Sequence, residues 1–242
     1  GFSATSEEIR PVPDKVEEAL GANLVFGRLA GHGRSGDAMA EPTAADWMRD
    51  TAEALAAARA VGEQVIIIST STGGNLVAAA ALRDDLMENV AGAVFVSPNF
   101  ALNSPSAVIL TWPAVRWWGP VVAGAERSFE TQNEGHAAYW TNSYPTVALM
   151  PMAALVKAVD GLDLGEAKLP ALFMISDQDK VVSPTKNREV AEEWGGDSTL
   201  EILTMGEGDD PYSHVIAGDI LSPDQTEGAA QAMIEWAQSV LK

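Results

Sequence analysis

The sequence predicts an α/β fold, a mostly parallel central sheet with helices on both faces, on two observations. Short β-branched runs alternate with longer alanine-rich or amphipathic runs, and the short runs are almost unbroken in their hydrophobicity. Strands read that way when helices bury them from both sides. A chain of 242 residues with 47% hydrophobic and 20% charged content fits one large core, or one core carrying an insertion.

The elements follow in order. "NLVFGRL" (23–29) is expected to be the first strand, and "TAADWMRDTAEALAAARAV" (43–61) a helix with Thr43 as its N-cap. "QVIIIS" (64–69) reads as a fully buried strand, leading into a helix over "GNLVAAAALRDDL" (74–86). Further strands are expected at "AGAVFVS" (91–97), "ALFMIS" (171–176) and "STLEIL" (198–203), with helices at "SPTKNREVAEEW" (183–194) and "DQTEGAAQAMIEWAQSVL" (224–241).

One segment breaks the rhythm. Between Pro98 and about Leu155 there is no clear strand, but there are several prolines and a concentration of aromatic residues that includes Trp112, Trp117, Trp118, Phe129, Tyr139, Trp140 and Tyr144. Long connections of this kind are usually functional. The expected organisation is therefore a core of residues 1–98 and 155–242, with a cap or lid inserted over 99–154. Trp112, Trp117, Trp118, Tyr139 and Trp140 are its candidate substrate-binding residues, since ligand pockets are walled by apolar and aromatic side chains.

The net charge of −19 speaks against nucleic acid or anionic lipid as partners, both of which need positive surface. The absence of cysteine removes disulfides and thiolate chemistry. No stretch approaches 18 continuous apolar residues, so no membrane insertion is expected. The first residues do not resemble a secretory signal. A cytoplasmic location is expected, with an export signal upstream of Gly1 left open. No cofactor or metal is expected: Asp209, Asp210 and His214 cluster in the sequence, but no second histidine lies near them. Oligomeric state is not legible.

Chemistry enters at "VIIISTSTGGNLVAAAAL" (65–82), where small polar residues and glycines separate a buried strand from a buried helix. The frame Ser69-Thr70-Ser71-Thr72-Gly73 fits a nucleophile elbow, G-x-S-x-G, with Ser69 in place of the first glycine. The bland alternative is a helix-capping turn with Ser71 or Thr72 as N-cap. A serine nucleophile needs a base, and the chain order for this architecture is Ser, then Asp or Glu, then His.

Of the three histidines, His32 precedes Ser71 and His136 sits in the insertion, whereas His214 follows the last expected strand in a polar loop. His214 is the candidate base. "SDQDKVV" offers Asp177 and Asp179 as the orienting acid. Asp179 is preferred because the following Val181-Val182 pair can bury it.

With these blocks in this order, the chain resembles the α/β-hydrolase family over essentially its whole length. Within the family it is similar to bacterial carboxylesterases and to monoacylglycerol lipase or lysophospholipase-like members. "STSTGG" matches the elbow, "SDQDKVVSP" the acid loop and "YSHVIAGD" the histidine loop. "RLAGHGRSGD" (28–37) is similar to a family turn in which the histidine, here His32, is structural.

"GFSATSEEIRPV" resembles the family's oxyanion loop, which implies the backbone N–H groups of Phe2 and Thr72 as the oxyanion hole. The strand that leads into that loop in the family is absent from the sequence. An inner strand's loss would leave two buried rows of backbone groups unpaired, so the expectation is that upstream residues are missing or that another segment fills the gap. The resemblance implies a serine hydrolase acting on small-molecule carboxylic esters with an apolar acyl group, through an acyl-enzyme. A thioesterase or acyltransferase on the same triad, or a catalytically silent binding module, are the alternatives.

Overall fold

The computed structural model describes residues 1–241. Its strands are β1 (Val65–Thr70), β2 (Val90–Val96), β3 (Glu126–Ser128), β4 (Ser143–Pro145), β5 (Ala171–Ile175) and β6 (Ser198–Ile202). Its helices are α1 (Val12–Leu20), α2 (Gly36–Met39), α3 (Ala44–Val61), α4 (Thr72–Ala81), α5 (Val115–Ala123), α6 (Glu134–Tyr139), α7 (Leu149–Asp160), α8 (Pro184–Glu193) and α9 (Thr226–Val240). The central sheet has the order β1-β2-β5-β6 and every pairing in it is parallel.

Alternation along β2 and β5 distributes the core. Ala93, Phe95, Ala171 and Phe173 face one side, where Trp47 of α3, Leu76 and Val77 of α4, Leu155 and Val159 of α7, and Val190 of α8 bury them. Val94, Val96, Leu172 and Met174 face the other, against Val12 and Val16 of α1 and Ala229, Met233 and Trp236 of α9. With both faces covered, these strands have no polar side to show. Phe95 and Phe173 stack in register across β2 and β5, with ring centroids 4.8 Å apart.

Thr43 caps α3 as expected, through a capping box with Asp46. Helix α4 starts two residues earlier and stops sooner than expected, because after Ala81 the backbone bonds shorten to Arg83 N–H on Ala80 and Leu86 N–H on Arg83. Helix α7, not expected from the sequence, runs across residue 154 and drives Met152, Leu155 and Val159 into the core. The aromatic segment also holds a short antiparallel ribbon, β3 on β4, where no strand was expected.

Residues 23–29 are not a strand, which corrects the first expected element. Leu24, Val25 and Phe26 are exposed. Nor is β1 fully buried: Ile66, Ile67 and Ile68 are only half-buried. The reason is shared. Residues 23–29 and β1 line one cavity of about 830 Å³, and among the described residues no strand pairs with the outer edge of β1. An apolar run needs a hydrogen-bonded neighbour to become a strand, and none reaches this one.

Candidate active site

All the loops that matter leave the same end of the sheet, as binding sites of parallel α/β sheets do. Ser71 follows β1, Asp179 follows β5 and His214 follows β6. Ser71 occupies the N-cap position of α4 with φ 51° and ψ −113°, a left-handed geometry that non-glycine residues rarely hold. The strain is kept by its backbone: Ser71 N–H donates to Val96 at 3.0 Å, and its carbonyl accepts from Gly74 at 2.9 Å and Asn99 at 3.1 Å. The hydroxyl oxygen of an N-cap serine ordinarily accepts a backbone N–H from the first turn of the helix. Ser71 makes no such cap bond; its Oγ lies 3.1 Å from Nε2 of His214.

The other ring nitrogen of His214 lies 2.8 Å from Oδ2 of Asp179. Oδ1 of the same carboxylate accepts from the N–H groups of Val181 and Val182 at 2.7 and 2.9 Å. Asp179 is buried and fixed from its own loop; Val182 is buried as well, while Val181 is exposed. Burial opposes a positive His214, but the hydrogen bond and charge of Asp179, helped by the charges of Glu8 and Asp210, outweigh it and hold the imidazole above the usual histidine range.

Asp177 is placed elsewhere. It forms a two-pronged, half-exposed ion pair with Arg188, which keeps its carboxyl below the usual range.

Thr72 is fully buried at the first position of α4, where backbone N–H groups have no acceptor within the helix. Phe2 packs edge-on against His32, Trp47 and Tyr144. Just after it the chain is fastened to the aromatic segment, by Thr141 N–H on the Ser3 carbonyl at 2.8 Å and Thr5 N–H on the Tyr139 carbonyl at 3.1 Å.

His32 is buried, with Nδ1 3.1 Å from the Ala30 carbonyl. Burial is the main cause that brings it down to about 4. His136 is buried between Phe129 and Trp140, and burial lowers it too, against the charges of Asp210 and Glu8.

The aromatic segment contributes unevenly. Trp140 is buried with Ala4, Val215 and Leu221, beside the histidine loop. The Trp112 and Trp118 rings are tilted to each other with centroids 6.3 Å apart, and Trp117 is 78% exposed. Among the described residues, Trp112, Trp117, Trp118 and Tyr139 make no ring contact or hydrogen bond with Ser71, Asp179 or His214. The segment also reaches the acid loop: Asn103 N–H donates to Val181 at 2.9 Å, and its side-chain amide donates to the Asp179 carbonyl at 3.0 Å.

Sequence reasoning missed Asp210 as part of this site. It is buried, and its carboxylate accepts from the backbone of the histidine loop. No helix of the described residues is long and apolar enough to cross a membrane.

No curated protein matches the sequence. A structure reported for the metagenome-derived lipolytic enzymes LipS and LipT superposes with a TM-score of 0.74 at 22% identity, over 98% of this chain and 91% of the other. The monoacylglycerol lipase of Paleococcus ferrophilus superposes at 0.69 with 18% identity, over 100% and 92%. A soluble variant of the Saccharomyces cerevisiae monoglyceride lipase, in complex with a substrate analog, superposes at 0.71 with 11% identity, over 100% and 85%. At these identities the likeness is one of fold. Residues 21–206, most of the chain, match the Hydrolase_4 family, described as serine aminopeptidase, S33. The chain is an α/β-hydrolase and belongs to that family.

Proposed function

We propose that the chain is a serine-dependent carboxylic ester hydrolase that works through an acyl-enzyme and prefers an apolar acyl group. One observation carries the reading. The hydroxyl of Ser71, strained at the head of α4, is turned from the helix toward His214, and His214 is held by Asp179.

In this mechanism Ser71 Oγ attacks the ester carbonyl carbon while His214 Nε2 takes its proton. The imidazolium that forms is stabilised by Asp179. The oxyanion is met by the N–H groups of Phe2 and Thr72, each contributing about 3 kcal/mol at the transition state. Collapse expels the alcohol, which receives the proton from His214. Water then attacks the acyl-serine by the same route and releases the acid and Ser71. The preference for an apolar acyl group rests on the aromatic segment, read as a cap whose Trp112, Trp117, Trp118, Tyr139 and Trp140 line the acyl path; each buried methylene adds about 0.8 kcal/mol.

A panel of p-nitrophenyl and glyceryl esters of graded chain length tests the reading, with a thioester, an added alcohol acceptor and an aminoacyl p-nitroanilide as further arms. Ester turnover that disappears in Ser71→Ala and in His214→Ala is expected. Turnover unchanged in Ser71→Ala rejects the site. Dominant activity on the thioester or the anilide, or transfer to the alcohol outrunning hydrolysis, reassigns the bond or the acceptor.

A further inference from the structure

The histidine loop lies between β6 and α9 and borrows no ladder from the sheet. Something else must hold the imidazole, because misplacing a reacting group by about 1 Å can cost about 100-fold in rate. Asp210 stands four residues before His214 and is 4% exposed. Its Oδ2 accepts the N–H of His214 and the N–H of Val215, both at 3.0 Å. Its Oδ1 accepts the N–H of Tyr212 at 3.1 Å and Nε2 of Gln132, from the aromatic segment, at 3.2 Å.

A carboxylate has about four acceptor sites, and these four donors fill them. Pro211 has no N–H to offer, so the side chain reaches past it to the three donors beyond.

The backbone of Asp210 closes the same loop. Its carbonyl accepts from Ser213 at 2.8 Å, and its N–H donates to Ser222 Oγ at 3.1 Å. Ser222 Oγ in turn donates to the Val215 carbonyl. Ser213, immediately before His214, is held at φ 52°, a conformation that persists only where its surroundings enforce it. The other side of the loop is tied to the acid loop, Lys180 N–H donating to the Tyr212 carbonyl at 2.9 Å and Lys180 Nζ to that of Pro211 at 2.7 Å.

We infer that Asp210 is a positioning residue for the proposed base: its carboxylate gathers the backbone of residues 212–215 and so sets where His214 stands between Asp179 and Ser71. The inference rests on the proposed triad. Asparagine cannot take over the role, because its amide nitrogen would face N–H donors on one side or the other. Removing the acceptor leaves buried N–H groups unpaired, and the loop must move to satisfy them.

The test uses Asp210→Ala and Asp210→Asn in the full chain, with Ser71→Ala alongside and near-ultraviolet circular dichroism to establish folding. The expected result is a kcat on the best ester lower by about 30- to 100-fold with KM within about threefold. The low-field proton signal of the His214 Nδ1–H is expected to weaken in the same variants. In the unaltered protein, hydrogen exchange is expected to show the His214 and Val215 amides protected.

A kcat within threefold of the parent in either folded variant overturns the inference, as does rapid exchange of those two amides in the parent. If neither variant folds, the exchange measurement decides. A fully active Ser71→Ala protein defeats the triad reading instead, and exchange still decides whether Asp210 holds the loop.

Discussion

Arg188 grips Asp177 through two parallel bonds, Nε to Oδ1 at 2.9 Å and Nη2 to Oδ2 at 2.6 Å, on the exposed side of the loop that buries Asp179. Two aspartates separated by one residue thus have different surroundings and different expected consequences. Asp179→Asn should lower kcat by about 10³- to 10⁴-fold, because the amide can no longer hold the productive tautomer of His214. Asp177→Asn should leave kcat within about twofold and change stability by less than about 1 kcal/mol, as exposed ion pairs do. Steady-state kinetics and urea denaturation of both variants check this.

The histidines should separate on a pH scale. A protonated His214 cannot accept the Ser71 proton, so kcat/KM should rise with pH through the raised value, with its acid limb above about 6.5. Asp179→Asn should move that limb toward lower pH. His32, brought down to about 4, should remain neutral where His214 titrates. The stability consequences have opposite signs. His214 supports the fold below about 6.5 and loses that support as pH rises through its folded value. His32 supports it above about 6.5 and loses that support as pH falls toward 4. Proton NMR titration of the ring signals, beside the kinetic profile, is the measurement.

The elbow makes a steric prediction that separates two adjacent glycines. A Cβ at Gly73 would meet only Ser69 Cβ, at 3.8 Å, which is ordinary contact. This is also why serine is tolerated at position 69. A Cβ at Gly74 would stand 2.7 Å from Pro98 Cβ and 3.2 Å from its Cα. Gly74→Ala should therefore destabilise by about 1–3 kcal/mol, while Gly73→Ala should stay within about 1 kcal/mol of the parent. Denaturant midpoints of the two variants decide.

The legible parts of this fold are those where side-chain composition alone determines the outcome. Strands β2 and β5 read correctly because burial on both faces removes polar residues from them. "NLVFGRL" has the same composition but no ladder neighbour, and a ladder is not written in the run itself. Helix α7 escaped notice because Pro151 and its methionines obscure the period, although Pro151 sits harmlessly in its first turn. The Ser71, Asp179 and His214 geometry was legible through chain order, since each lies in the connection that follows a strand. Asp210 was not, because three of its four partners are backbone N–H groups and the fourth, Gln132, is distant in the sequence; no pattern of side chains announces an acceptor for them. The choice between Asp177 and Asp179 was legible only as a preference; Arg188, eleven residues beyond Asp177, is what separates them.

Activation of the Ser71 hydroxyl by His214 is open to a chemical test. The adduct of a fluorophosphonate is mapped on the protein: the serine oxygen bonds to phosphorus, fluoride leaves and the histidine takes the proton. The expected result is one phosphonyl group per chain, on the peptide carrying Ser71, formed at least about 100-fold more slowly in folded His214→Ala. A folded protein that stays unlabelled, that carries the adduct on another residue, or that labels Ser71 equally fast without His214 would contradict it.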